Sequence, residues 1–232
     1  MPRIARLVIP GLPHHITQRG NRRLKTFFCD EDYKKYISIM AKQCKKFELE
    51  VWAYCLMPNH THLIVVPKTK DSLAPAIKEA HRRYTFQVNS RESWNGYLWQ
   101  GRFYSYPLED AHLYTAVRYI ELNPVEAGLV DKPWHYPWSS ANAHVNGNDD
   151  RLVTVKPLLD RFGDWEKYLN QKMSEREKVL IEKHERSGRP MGSPEFIAEL
   201  ERRTNLELAP KKRGPKGPWK RKLQEQAVEE EL

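Results

Sequence analysis

Leu49-Glu50-Val51-Trp52-Ala53-Tyr54-Cys55-Leu56 and His60-Thr61-His62-Leu63-Ile64-Val65-Val66, joined by Met57-Pro58-Asn59, decide the fold. Both runs are rich in β-branched and aromatic residues, and the link between them is short enough for a hairpin, so the two pair antiparallel. Upstream, His14-His15-Ile16-Thr17-Gln18-Arg19 has a β-branched centre and stops at the turn signal Gly20-Asn21, which makes it a first strand. Between that strand and the hairpin, Asp30 reads as an N-cap. Tyr33, Ile37, Met40, Cys44 and Phe47 then recur at helical steps while Lys34, Lys35, Lys42 and Lys45 stay wet. Downstream, Asp71 or Ser72 caps a second helix with the stripe Leu73, Ile77, Ala80, Tyr84 and Val88, and residues 97–106 (YLWQGRFYSY) read as a fourth strand. The order βαββαβ predicts an α+β, ferredoxin-like antiparallel sheet with two helices on one face and the other face left available.

A third helix is expected from Asp110 and should stop by Asn123, because Pro124 disfavours helix at the residue before it. Residues 138–144 suggest a short helix and residues 146–150 a loop, with a domain boundary there. Helical stretches at 155–162, 165–183 and 194–204 follow, interrupted at 187–190. The resulting division is a domain over 1–145, a mainly helical extension over 146–209, and a basic Pro/Gly/Lys tail over 210–232 that cannot build a core.

The 232 residues suffice for a real core, with 40% apolar and 11% aromatic side chains, while 30% charged residues and a mean hydropathy of -0.76 call for a wet surface. No apolar run approaches the ~18 residues of a membrane helix, and MPRIARLVIPGLPHH is too short in apolar residues for a signal peptide. The expectation is a cytoplasmic protein without a membrane partner. Three cysteines without CxxC spacing point to buried free thiols rather than a disulfide or zinc framework. A net charge of +9 and a pI near 9.4 favour polyanions, nucleic acid first.

Residues two apart on a strand share a face, so His60 and His62 can offer two imidazoles to one divalent ion. The same spacing fits two half-exposed strand histidines. On the third helix, Tyr119 and Asn123 lie four apart and so on one face. They sit at the edge of the stripe Leu113, Ala116, Val117 and Ile120, aimed toward the sheet; core packing of Tyr119 is the alternative. Arg19, Arg22, Arg23, Lys25, His81, Arg82, Arg83 and Arg102, with Tyr84 and Trp99, supply the cations and stacking rings that single-stranded or hairpin DNA needs. Arg82 and Arg83 read equally well as a solvated helix face. Lys211, Lys212 and Arg213 open a tail suited to nonspecific phosphate contacts or simply to solvent.

Residues 11–21 (GLPHHITQRGN), 57–63 (MPNHTHL), 98–105 (LWQGRFYS), 118–130 (RYIELNPVEAGLV) and 138–140 (WSS) together resemble the REP-associated tyrosine transposases, the single-tyrosine branch of the HUH endonuclease superfamily. The resemblance runs in order from residue 11 to about 140. It implies a metal-dependent single-stranded DNA endonuclease and strand transferase, with Tyr119 as nucleophile through a 5′-phosphotyrosine, and His60, His62 and Asn123 as ligands of Mg²⁺ or Mn²⁺. It further implies palindromic repeats with a hairpin and a flanking guide as substrate, and a monomer or homodimer. Thr61 departs from the bulky apolar residue usual between the histidines, which touches core packing more than chemistry. Two other readings use the same fold: a non-catalytic single-strand-binding module, and a replication initiator or relaxase, for which the chain is short.

Overall fold

Alternation along the hairpin strands sorts the apolar residues into two cores, one on each side of the sheet. The computed structural model describes residues 6–209. β1 (His14–Arg19), α1 (Asp30–Lys46), β2 (Leu49–Met57), β3 (His60–Pro67), α2 (Leu73–Glu92) and β4 (Tyr104–Pro107) follow the βαββαβ order, in a four-stranded antiparallel sheet ordered β2-β3-β1-β4. Met57 pairs with His60, so Pro58-Asn59 alone turn the hairpin. Tyr54, Leu56, Leu63 and Val65 pack with Tyr36 and Met40 of α1 and Ile77 and Tyr84 of α2. Ala53, Cys55, Met57 and Ile64 point the other way and meet Leu113, Ala116, Val117 and Ile120 of α3 (Asp110–Glu126).

The second face is therefore covered rather than available. After α4 (Ala141–Asn146) and α5 (Lys156–Leu159), the helices α6 (Trp165–Leu169), α7 (Glu175–Ser187) and α8 (Pro194–Thr204) follow. Trp165, Leu169 and Ile181 from α6 and α7 join the α3-side core. Burying this second apolar set against helices is what a sheet hydrophobic on both faces demands.

Several boundaries differ from the sequence expectation for identifiable reasons. Only Tyr104–Pro107 pairs as the fourth strand; Gly101, at a φ of 69°, bends the chain, and residues before it meet the end of β1 and the turn after it through the bridge Gly20–Trp99 and the bonds from Gln100 N–H to the Arg19 carbonyl and from Asn21 N–H to the Leu98 carbonyl, both 2.8 Å. α3 continues past Pro124, because the Ala127 N–H bonds the Asn123 carbonyl at 3.0 Å and the Leu129 N–H the Pro124 carbonyl at 2.9 Å, capping the last turn. The stretch 165–183 is two helices, since Ser174 starts α7 with a capping box to Glu177. The helix expected at 138–144 is Ala141–Asn146, and that expected at 155–162 shrinks to Lys156–Leu159. Asp30 is the first residue of α1 rather than its cap; Asp32 accepts the Phe28 N–H at 2.9 Å instead. Cys44 and Cys55 are buried and Cys29 is exposed. The basic tail lies outside the described residues. Among the described residues no helix is long and apolar enough to cross a membrane.

One buried carboxylate fastens α3 to its surroundings. Glu121 is 0% exposed; its Oε1 accepts from His144 Nδ1 at 2.7 Å and meets the Ser140 hydroxyl, and its Oε2 accepts from Trp165 Nε1 at 2.8 Å. Ser140 Oγ in turn accepts the Tyr54 N–H of β2 at 2.9 Å. Removing the acceptor strands the buried His144 and Trp165 donors and leaves the Ser140 hydroxyl only the Tyr54 carbonyl at 3.2 Å, so Glu121→Ala should cost about 3–5 kcal/mol in urea unfolding. The unfolding slope should stay unchanged and Glu121→Gln should lie between the two.

Candidate active site

The register of β1 on β3 sets Thr17 opposite His62 and Arg19 opposite His60, and side chains directly opposite share a face. His60 and His62 therefore project toward α3, while Thr61 is fully buried on the side of α1 and α2. α3 answers with Tyr119 and Asn123, both half-buried and one turn apart. The Asn123 amide interacts with the His60 side chain and with Tyr119, and the Tyr119 ring stands edge-on to the His62 ring with centroids 5.7 Å apart. The four residues expected at the centre thus meet in one place.

Burial sets their protonation. Burial, with the Arg19 charge beside it, pushes His60 down to about 4, and burial together with His60, His15 and Arg19 holds His62 well below the usual imidazole range. Both rings are neutral at pH 7, which is the state a metal ligand must have, and the uncharged Asn123 amide completes a donor set that fits a divalent cation. Tyr119 goes the other way: burial, then the Glu185 and Glu182 charges, raise its phenol above the normal tyrosine range against a smaller opposing effect of Arg19. The phenol keeps its proton at neutral pH.

A second cluster adjoins the first, and sequence reasoning missed it. His15 Nε2 is 3.0 Å from His62 Nδ1, Glu185 Oε1 is 3.4 Å from the same nitrogen and 3.6 Å from His15 Nε2, and the Thr17 hydroxyl donates to Glu185 at 3.1 Å. His15, His62 and Glu185 are also the group of His, Cys, Asp and Glu side chains spaced to hold a metal ion among the described residues. His15 was readable from the strand period, being two residues before Thr17 on the same face. Glu185 carries no such signal, because it arrives on α7.

The cations divide by location. Arg19 and Arg23 line an open pocket of about 510 Å³ with Tyr119, Gln100 and Glu185, and Arg22 is exposed on the adjoining turn. Arg102 borders a second groove of about 960 Å³ with Lys78, Arg82, Tyr97 and Trp99, and Gln18 lines both cavities. Arg82 and Arg83 both pair with Glu79, at 2.8 and 2.7 Å, which reduces the charge they offer. Lys25 is exposed. Tyr84 and His81 are buried, the Tyr84 hydroxyl donating to the Thr26 carbonyl at 2.7 Å and His81 lying 3.0 Å from the Tyr36 hydroxyl, so both serve packing first. Lys211, Lys212 and Arg213 lie outside the described residues.

A four-stranded antiparallel sheet thus presents paired histidines to a helix-borne tyrosine. Residues 9–123 match the family described as "Transposase IS200 like". The chain is 27% identical over 134 residues to a Haemophilus influenzae protein named "Putative REP-associated tyrosine transposase", covering 53% of this chain and 76% of that one. It is also similar to a solved structure of a REP-associated tyrosine transposase bound to a REP hairpin, with a TM-score of 0.55 and 23% identity over 66% of this chain and 92% of that one; this likeness establishes the fold. His60, His62, Tyr119 and Asn123 fall within the family match, and Glu185 falls outside it.

Gly20 holds the pocket edge in place. A Cβ there would lie 2.2 Å from the Leu24 carbonyl oxygen and 2.9 Å from Thr26 Cγ2. Gly20→Ala should therefore displace the turn carrying Arg22 and Arg23 and lower stability by about 1–3 kcal/mol in urea unfolding.

Proposed function

We propose that the chain is a metal-dependent single-stranded DNA endonuclease and strand transferase that works through a 5′-phosphotyrosine on Tyr119. The observation that supports this most is the convergence of two neutral imidazoles, a carboxamide and a phenol beside a pocket edged by Arg19 and Arg23. His60, His62 and Asn123 would hold a divalent ion, Mg²⁺ or Mn²⁺. When bound, it would polarise a phosphate oxygen and fix the phosphodiester for attack. Three uncharged ligands leave the cation its full charge for the phosphate, and imidazole suits Mn²⁺ better than Mg²⁺.

Tyr119 Oη attacks phosphorus, the bond to the 3′ oxygen breaks, and the phenolic proton is matched by the proton gained on the released 3′-hydroxyl. One phosphodiester is exchanged for another, so the bond energy is kept. A second 3′-hydroxyl can reverse the step and join strands without ATP. Arg19 favours the developing phenolate, whereas the Glu182 and Glu185 charges oppose it, an opposition that a bound cation would offset. One tyrosine handles one strand at a time, and α3 fixes its ring against His62, which supplies the orientation such a displacement needs.

Substrate binding draws on the Arg102 groove. Tyr97 is 88% exposed beside Lys78 and Arg102, a stacking ring next to cations, which is the combination that holds unpaired bases. The relative whose solved structure carries a REP hairpin supports hairpin DNA as the substrate. Arg22, Arg23 and the tail residues Lys211, Lys212 and Arg213 would add phosphate contacts.

Incubating the protein with labelled REP-like hairpin DNA and Mn²⁺ or Mg²⁺ should give a covalent adduct on a denaturing protein gel. Chelation by EDTA and Tyr119→Phe should each abolish it. If the wild type binds every such hairpin yet forms no adduct, the chain is a binding module instead.

Tyr97→Ala should cost about 1–3 kcal/mol in single-strand affinity. Arg102→Ala should flatten the salt dependence by about one phosphate contact. Both are read by anisotropy at several salt concentrations.

A further inference from the structure

Glu185 is costly where it stands. It lies in the last turn of α7, where the helix dipole disfavours an anion, its side chain is 13% exposed, and Glu182 lines the same pocket. Its placement is nonetheless enforced. Glu177, two turns earlier, pairs with the buried Arg118 of α3 at 2.6 Å, and Ile181, one turn earlier, is 0% exposed in the α3-side core. Glu177, Ile181 and Glu185 fall four apart along one line of the helix. The pair and the apolar anchor thus deliver Glu185 to His62.

We propose that Glu185, His15 and Tyr106 are positioning residues that fix the ring and the tautomer of His62, so that its Nε2 faces the catalytic cation. This rests on the ligand set proposed above. The two imidazole nitrogens lie on opposite sides of the ring, and His62 Nδ1 is taken up by His15 Nε2 at 3.0 Å and Glu185 Oε1 at 3.4 Å, which leaves Nε2 for the ion. A ring that ligates through Nε2 must carry its proton on Nδ1. That proton is donated to His15 Nε2, with Glu185 Oε1, 3.4 Å from Nδ1, as a longer polar contact.

His15, accepting at Nε2, then carries its own proton on Nδ1 and donates it to the Tyr106 hydroxyl at 2.7 Å. Tyr106 and His15 are 1% and 0% exposed, and the His15 and His62 rings stack with centroids 5.2 Å apart, so neither histidine can turn independently. The Thr17 hydroxyl, donating to Glu185 at 3.1 Å, holds the carboxylate in place. Two strands, β1 and β4, and α7 thereby orient one ligand on β3, an outer shell of the kind that tunes metal affinity by about 10–100-fold. The segment after residue 123 becomes part of the catalytic centre.

The test is Mn²⁺ binding to the full chain by isothermal titration, with electron paramagnetic resonance as a check and melting curves confirming each fold. Glu185→Ala and His15→Phe should weaken Mn²⁺ about 10-fold or more and Tyr106→Phe about 3–10-fold, in line with outer-shell effects elsewhere. Glu185→Gln, whose amide oxygen can still accept from Nδ1, should recover most of the loss, while Asn123→Ala should bind far more weakly than any of them. Should Glu185→Ala fail to fold, Tyr106→Phe and Glu185→Gln carry the test. Wild-type affinity in both Glu185→Ala and Tyr106→Phe overturns the positioning chain alone. Loss of binding in Glu185→Gln with Asn123→Ala unaffected overturns it in favour of direct ligation by His15, His62 and Glu185. A wild type that takes no Mn²⁺ overturns the proposed ligand set and this chain with it.

Discussion

The pairing of β1 with β3 is the constraint on which the rest depends. Thr17 faces His62 and Arg19 faces His60 because the register is what it is. Strand side chains alternate with period two, so a slip of one residue would turn His60 and His62 into the α1/α2 core and bring Leu63 to the catalytic face. Two apolar cores, one per face, forbid that slip. Ile16 and Leu63 are fully buried on one side and Ile64 on the other, and exchanging them would put imidazoles into hydrocarbon on one face and empty the site on the other.

The sheet supplies half the site, and the helix that supplies the other half must not move. α3 is pinned by polar groups set into an apolar layer: Glu121 receives donors from α4 and α6 and meets Ser140, while Arg118 reaches Glu177 of α7. Such buried networks are costly to leave incomplete and rigid once complete. Tyr119 stands between Arg118 and Glu121 in sequence, so the fastening falls within one turn of the phenol. Burial also sets the protonation of the site, holding His60 and His62 neutral and raising the Tyr119 phenol.

The relation of local signal to tertiary outcome can be followed element by element. The stripes of α1, α2 and α3 and the alternation of β1, β2 and β3 were legible because each is repeated over several turns or pairs. The fourth strand was over-read, since YLWQGRFYSY has strand composition throughout and only the left-handed backbone at Gly101 separates its pairing and non-pairing parts. The end of α3 was under-read: Pro124 is a real local break signal, overridden by a C-terminal cap that depends on Gly128 at a φ of 66°. The covering of the second face was not legible either, because α6 is only five residues long and α7 is mostly polar, and their apolar residues acquire meaning only once they meet α3.

The sequence by itself determined the βαββαβ order, the basic character, and the placing of His60, His62, Tyr119 and Asn123 on elements that could face one another, because periods of two and 3.6 are local properties of the chain. The tertiary structure alone decided that His15 and Glu185 join His62, that His81 and Tyr84 are packed away, and that α7 closes the site. Those outcomes depend on contacts between segments far apart in the chain, whose geometry is set by the filling of a shared core and by the pairing of buried charges, and no local pattern encodes either.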